Sequence, residues 1–208
     1  YFDHNVTLKL IKNLYKGYNN FLKDGGETSH FRFFMDKTYS EYSTQEFSVL
    51  GLIDKMPNLR SLDCSNTRIN NFSILKIRNH LYYFKTLQSL SLKSSDLSDK
   101  MAKELADGIM KAKCLEHIDI SHNCTRTGIA NLIYNLAFQP LLKSLVISNS
   151  SGVDGGELAS ALYKLIKMSI SLEYIDASHI PNLNNNFGKD FFTSLGDNSY
   201  LKYLNISH

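Results

Sequence analysis

The chain has 208 residues, of which 43% are hydrophobic, 21% charged and 12% aromatic, a globular rather than disordered composition with room for one or two domains. Lys and Arg number 23 against 20 Asp and Glu, and a formal charge of +3 argues against a dedicated nucleic-acid binder with a dense basic face. No apolar run approaches the ~18 residues that cross a bilayer, so no transmembrane segment is expected.

Three cysteines, Cys64, Cys114 and Cys124, form no Cys-x-x-Cys pair. Neither a disulfide framework nor a zinc site is indicated, and no cofactor is expected. A reducing, cytoplasmic compartment fits this usage. No basic start followed by a short apolar core is visible, so no signal peptide is expected. Asn-x-Ser/Thr occurs at Asn5, Asn71, Asn123, Asn149 and Asn205, as chance allows in a chain this rich in Asn and Ser.

In chain order, residues 1–30 come first. Val6, Leu10, Ile11, Leu14, Tyr18, Phe21 and Leu22 recur at helical spacing among lysines and stop at Asp24-Gly25-Gly26, which predicts a cap helix covering the first repeat. From residue 31 to 208 a repeat takes over. The pattern apolar-x-x-apolar-x-apolar recurs as Leu59-Leu62-Cys64, Leu87-Leu90-Leu92, Leu115-Ile118-Ile120, Leu142-Leu145-Ile147, Leu172-Ile175-Ala177 and Leu201-Leu204-Ile206, with starts 28, 28, 27, 30 and 29 residues apart. Phe31 with Phe34 gives a degenerate first copy, in which Asp36 takes the third apolar position.

Apolar residues two apart share one face of a strand, so each copy supplies one short strand, with Leu90 and Leu92 inward and Ser91 and Lys93 outward. A turn rich in Asn, Ser and Thr comes next. Then come about 14 residues of helical periodicity, such as Met101, Leu105, Ile109 and Met110, or Leu158, Leu162, Leu165 and Ile166. Ser43 with Glu46 and Asp154 with Glu157 read as capping boxes, and Pro140 stands where a helix must stop. These are leucine-rich repeats. A repeat long enough for an outer helix points to the ribonuclease-inhibitor-like class: an α/β solenoid, a horseshoe arc with a parallel sheet on the concave face and α-helices on the convex face. The chain ends inside a repeat, which predicts a continuing array, self-association, or another molecule on that edge.

Common catalytic signatures are absent. Asp119-Ile120-Ser121-His122 holds the residue types of a hydrolase, but Asp176-Ala177-Ser178-His179 repeats it, and a motif recurring at the repeat period belongs to the repeat rather than to a triad. No enzyme activity is expected. Gly152, Gly155 and Gly156 lie beside Asp154 and Glu157, which would repel a phosphate, so they read as a loop-to-helix turn. Asn182-Leu183-Asn184-Asn185-Asn186 reads as an enlarged exposed loop.

Binding is expected on the outward ladder of the sheet. Candidate protein-binding residues on this concave face are Asp63, Lys93, His117, Asp119, His122, Tyr174, Asp176, His179 and Tyr203. Aromatic residues on a rigid sheet bury much area at little entropic cost, and they gather toward the C-terminal end. His122 and His179 lie two repeats apart, roughly 10 Å at ~4.8 Å per strand, too far for one metal ion.

The array resembles the CARMIL family of capping-protein regulators and myosin-I linkers in Leu115-Glu116-His117-Ile118-Asp119-Ile120-Ser121-His122-Asn123, in Leu136-Ala137-Phe138-Gln139-Pro140 and in Phe191-Phe192-Thr193-Ser194-Leu195. That resemblance implies an actin-cytoskeleton scaffold whose repeats mediate self-association or partner docking. The family's capping-protein-binding segment lies outside its repeats, and none of its residues is present. A GTPase activator of the same repeat class, or a structural subunit of a cilium or another large assembly, are the rival expectations.

Overall fold

A computed structural model describes residues 30–32, 53 and 56–207. The described elements are β1 (His30–Arg32), β2 (Ser61–Asp63), α1 (Asn71–Tyr83), β3 (Ser89–Ser91), α2 (Asp99–Ile109), β4 (His117–Asp119), α3 (Gly128–Leu136), β5 (Ser144–Val146), α4 (Gly155–Met168), β6 (Tyr174–Asp176), a 3-10 turn (Asn184–Asn186), α5 (Lys189–Asp197) and β7 (Tyr203–Asn205), with strands and helices alternating from β2 onward. All seven strands are parallel and lie side by side in chain order. Each helix therefore crosses back on the same side, which makes the molecule a solenoid with the sheet lining its inner wall.

Register confirms the repeat. Leu62, Leu90, Ile118, Leu145, Ile175 and Leu204 pair as successive rungs. The first five are at most 1% exposed, whereas Leu204 in the last strand is only half-buried because a single neighbour covers it. The degenerate first copy requires correction: a strand forms there, but Phe31 pairs with Leu62, so it stands at the second apolar position and not the first. The expected cap helix and the Ser43/Glu46 box fall outside the described residues, apart from His30, which begins β1.

The inter-repeat ladder extends past both strand ends. Before each strand one carbonyl accepts two successive N–H groups, as when Arg60 O receives Gln88 N at 2.7 Å and Ser89 N at 2.9 Å. The same pairing recurs at Gln88, Glu116, Lys143 and Glu173. Simple alternation breaks at this point, so Arg60, Glu116, Lys143, Glu173 and Lys202 reach the rim instead of the core. After each strand the ladder ends in a residue with left-handed backbone: Asn66, Ser94, His122, Asn149 and His179, with φ between 52° and 58°. Each donates its N–H to the next repeat.

The starts of α1 to α4 are capped from within or from next door, whereas Gly188 gives α5 no side-chain cap. Asn70 accepts Ser73 N, Ser98 accepts Met101 N, and Asp154 accepts Gly156 N and Glu157 N. Thr127 makes no such bond for α3, and Asp99 from the preceding helix serves instead, receiving Arg126 N at 2.7 Å and Gly128 N at 3.0 Å. Gly128 permits this approach, because a Cβ there would lie 2.8 Å from the Asp99 carbonyl oxygen. Burial works against ionisation of Asp99, but the backbone donors, with Lys103, outweigh it and hold the carboxyl below its usual range.

The inward stripes are Met101, Leu105 and Ile109 in α2 and Leu158, Leu162, Leu165 and Ile166 in α4. Met110 departs from the expected stripe: it is the C-cap of α2 and stands in solvent. The Asn-rich segment is more than exposed filler, because its 3-10 turn packs on the start of α4. A Cβ on Gly155 would meet Asn182 O and Asn186 Nδ2, each at 2.8 Å.

Several polar side chains are buried, Asn123 among them. Asn123 is 2% exposed, donates to the carbonyls of Leu92, Ile120 and Ser121, and accepts from Ser95 N and Leu97 N. It brackets the turns of two repeats, and a side chain so buried cannot carry a glycan.

The packing sets two expected outcomes. Leu90→Asp buries an unpaired charge and unfolds the middle of the array, whereas Ser91→Asp on the outer face melts near the parent temperature, as circular dichroism would record. Asn123→Ala orphans buried backbone groups and lowers stability by roughly 2–3 kcal/mol in urea titrations, while the sheet signature is retained.

Candidate binding face

The strand alternation places two side-chain rows on the inner wall. One row runs Ser61, Ser89, His117, Ser144, Tyr174, Tyr203, and the other runs Asp63, Ser91, Asp119, Val146, Asp176, Asn205. In the first row Tyr174 and Tyr203 occupy paired positions on adjacent strands. Their rings stack with centroids 4.5 Å apart and planes 4° from parallel. The spacing is close to the strand separation of ~4.8 Å, so the sheet itself sets the stack. Tyr203 is 45% exposed and Tyr174 is half-buried. Burial, then the Asp176 carboxylate and the Tyr203 phenol, raise the Tyr174 hydroxyl above its ordinary value.

Between His117 and Tyr174 the first row drops to Ser144, and between Asp119 and Asp176 the second row carries the apolar Val146. Strand β5 is thus the floor of a notch, with His117 and Asp119 on one wall and Tyr174 and Asp176 on the other. The walls stand two strands apart, about 10 Å. Acid on both sides and an aromatic ring at the lip suit an inserted basic or amphipathic side chain.

The carboxylates are partly occupied. Asp63, Asp119 and Asp176 each accept the N–H two residues on, from Ser65 at 2.9 Å, Ser121 at 2.9 Å and Ser178 at 3.0 Å. The recurring Asp-x-Ser is therefore a turn at the strand exit. In the Asp119 copy the Ser121 hydroxyl also donates to the carboxylate, at 2.6 Å. Of the expected site residues, His117, Asp119, Tyr174, Asp176 and Tyr203 come together on the face, with Asp63 further along the same row. Lys93 lies one row beyond, half-buried.

His122 and His179 do not join them. They are the left-handed turn residues, exposed on the strand-exit rim. Alternation along the strand does not extend into a turn, and the sequence carries no marker of where it stops. Sequence reading also misses Ser144 and Val146 as the floor; the signal available is a small Ser between His117 and Tyr174, and an apolar Val between two aspartates, at the repeat period. On the entry rim, Lys143 pairs with Glu116, and Lys202 pairs with Glu173 at 2.9 Å. Among the described residues no group of three His, Cys, Asp or Glu side chains could hold a metal ion. No helix among them is long and apolar enough to cross a membrane.

No protein-family model matches the sequence. Among solved structures the chain is similar to leiomodin-1 actin-binding site 2, with 16% identity and a TM-score of 0.55 over 71% of this chain and 88% of that one. It is also similar to the tropomodulin C-terminal domain of Caenorhabditis elegans, with 14% identity and a TM-score of 0.54 over 74% of this chain and 95% of that one. The fold is a leucine-rich-repeat solenoid. At such identities the likeness concerns the backbone path.

The raised Tyr174 hydroxyl sets a sign. A group whose folded value exceeds its unfolded one, ~10 for Tyr, contributes stability that is intact below that pH and is lost as pH rises through the folded value. Tyr174→Phe therefore flattens the alkaline decline of urea stability that sets in near the unfolded value of ~10, while leaving the value at neutral pH within ~0.5 kcal/mol.

Proposed function

We propose that this chain is a non-enzymatic protein-interaction module of the actin cytoskeleton, cytoplasmic in location, which docks its partner in the notch of the concave face. The observation that carries the reading is the notch itself. A stacked tyrosine pair beside half-buried carboxylates, on adjacent strands of one sheet, forms an anchor site. The use of Asp-x-Ser as a turn supports the non-enzymatic assignment, since it gives the hydrolase-like residues a structural task in successive repeats.

The actin assignment is supported by the backbone likeness to leiomodin-1 actin-binding site 2. The resemblance of Leu115–Asn123 to CARMIL repeats points the same way. An outer helix of at least nine residues in each repeat from α1 to α5 supports the ribonuclease-inhibitor-like grouping. Self-association through the β7 edge is a further part of the reading, supported by the half-buried Leu201, Leu204 and Ile206.

Co-sedimentation with actin filaments, and fluorescence titration of actin monomers, test it. The chain is expected to bind one of the two, and Tyr174→Ala with Tyr203→Ala to weaken binding roughly 10- to 100-fold without lowering the melting temperature appreciably. Absence of binding to both actin forms, or binding unchanged in the double variant, would overturn the reading.

A further inference from the structure

The edge of the solenoid where helices pass into strands carries an apolar stripe that the concave-face reading does not use. Each helix-to-strand connection leaves at least one large apolar side chain in solvent: Tyr83 at 71% exposure, Met110 at 49%, Phe138 at 52%, Ile170 at 65% and Tyr200 at 46%. Because the strands are parallel and in chain order, these connections fall on one rim, one per repeat. Neighbouring strands are ~4.8 Å apart and neighbouring helices ~8–10 Å, so the side chains between them recur every ~5–10 Å.

That rim is stiff. Thr86 donates to the carbonyls of Pro57 and Leu59, Gln139 to Ile109, Ser171 to Leu142, and Asn198 to Ile166. Each bond pins a connection to the preceding repeat, so the apolar side chains are presented on a fixed backbone.

The charge beside the stripe is positive. Glu116 and Glu173 are taken by Lys143 and Lys202. Lys85, Lys111 and Lys113 pair with no carboxylate among the described residues, while Asp107 of α2 lies beside Tyr83 and Met110, and Asp190 and Asp197 of α5 lie beside Ile170 and Tyr200. The positive surplus lies around the ends of α1 and α2, beside Tyr83 and Met110.

We propose that this rim docks an acidic amphipathic helix of a protein partner. A helix displays an apolar side chain every ~5–6 Å along one stripe, which matches the rim's spacing, and its flanking carboxylates meet Lys85, Lys111 and Lys113. The surface is separate from the concave notch and does not depend on it.

The probe is a synthetic helical peptide of about 20 residues built from Leu, Phe and Glu, with a twin in which Lys replaces Glu, read by fluorescence anisotropy on the full chain. The Glu peptide is expected to bind at least ~10-fold tighter than its twin. Phe138→Ser with Ile170→Ser is expected to cut that binding ~10-fold, and Lys111→Glu with Lys113→Glu to reverse the preference, all with unchanged melting. Tyr174→Ala with Tyr203→Ala is expected to leave peptide binding alone, which separates this surface from the notch. Equal or absent binding of the two peptides would overturn the proposal. So would preferential binding to phosphatidylserine vesicles, or sedimentation showing that the rim substitutions abolish self-association in place of peptide binding.

Discussion

A three-residue strand cannot satisfy its own backbone, and in this chain it is never asked to. The groups of β2 are completed by β3, those of β3 by β4, and so on to β7, with one extra bond before each strand and one after it at the left-handed turn. The apolar rungs from Leu62 to Ile175 obey the same rule, because each is sealed by the copies on either side. The half-buried Leu204 shows the rule from its exception: with one neighbour in place of two, the same position is only partly covered. Stability is accordingly a property of adjacency, summed over interfaces rather than over repeats.

How much of this is legible in the residues depends on what each signal encodes. The triplets Leu87-Leu90-Leu92 and Leu115-Ile118-Ile120 encode burial at period two, and burial is what the strands obey, so the sheet order and register can be read directly. Phe31 falls three residues out of phase in a sequence alignment of the repeats, because two phenylalanines satisfy either alignment equally well and only pairing with Leu62 distinguishes them. Met110 fits a helical stripe in spacing, but α2 ends before it, and a stripe carries no notice of its own termination. Asn123 looks like one sequon among several. Its role as a bracket depends on Ser95 and Leu97 arriving from the previous repeat, a relation between segments that no local window contains.

Site residues divide along the same line. Tyr174 and Tyr203 can be placed together because equal positions in consecutive repeats must be neighbours. His122 and His179 reach the face only if the strand is extended past the point where its alternation stops. The floor formed by Ser144 and Val146 is invisible to a search for reactive or aromatic side chains, because neither residue carries one. The apolar rim is likewise hidden, since Tyr83, Met110, Phe138, Ile170 and Tyr200 are of four residue types and follow no single offset from the repeat start.

The left-handed turn residues carry a broader consequence. Asn66, Ser94, His122, Asn149 and His179 have in common a backbone torsion and an N–H bond, while their side chains have little else in common. What is inherited from copy to copy at that position is a conformation, and several amino acids can spell it. Repeats of this kind can drift apart in letters while keeping the same path in space.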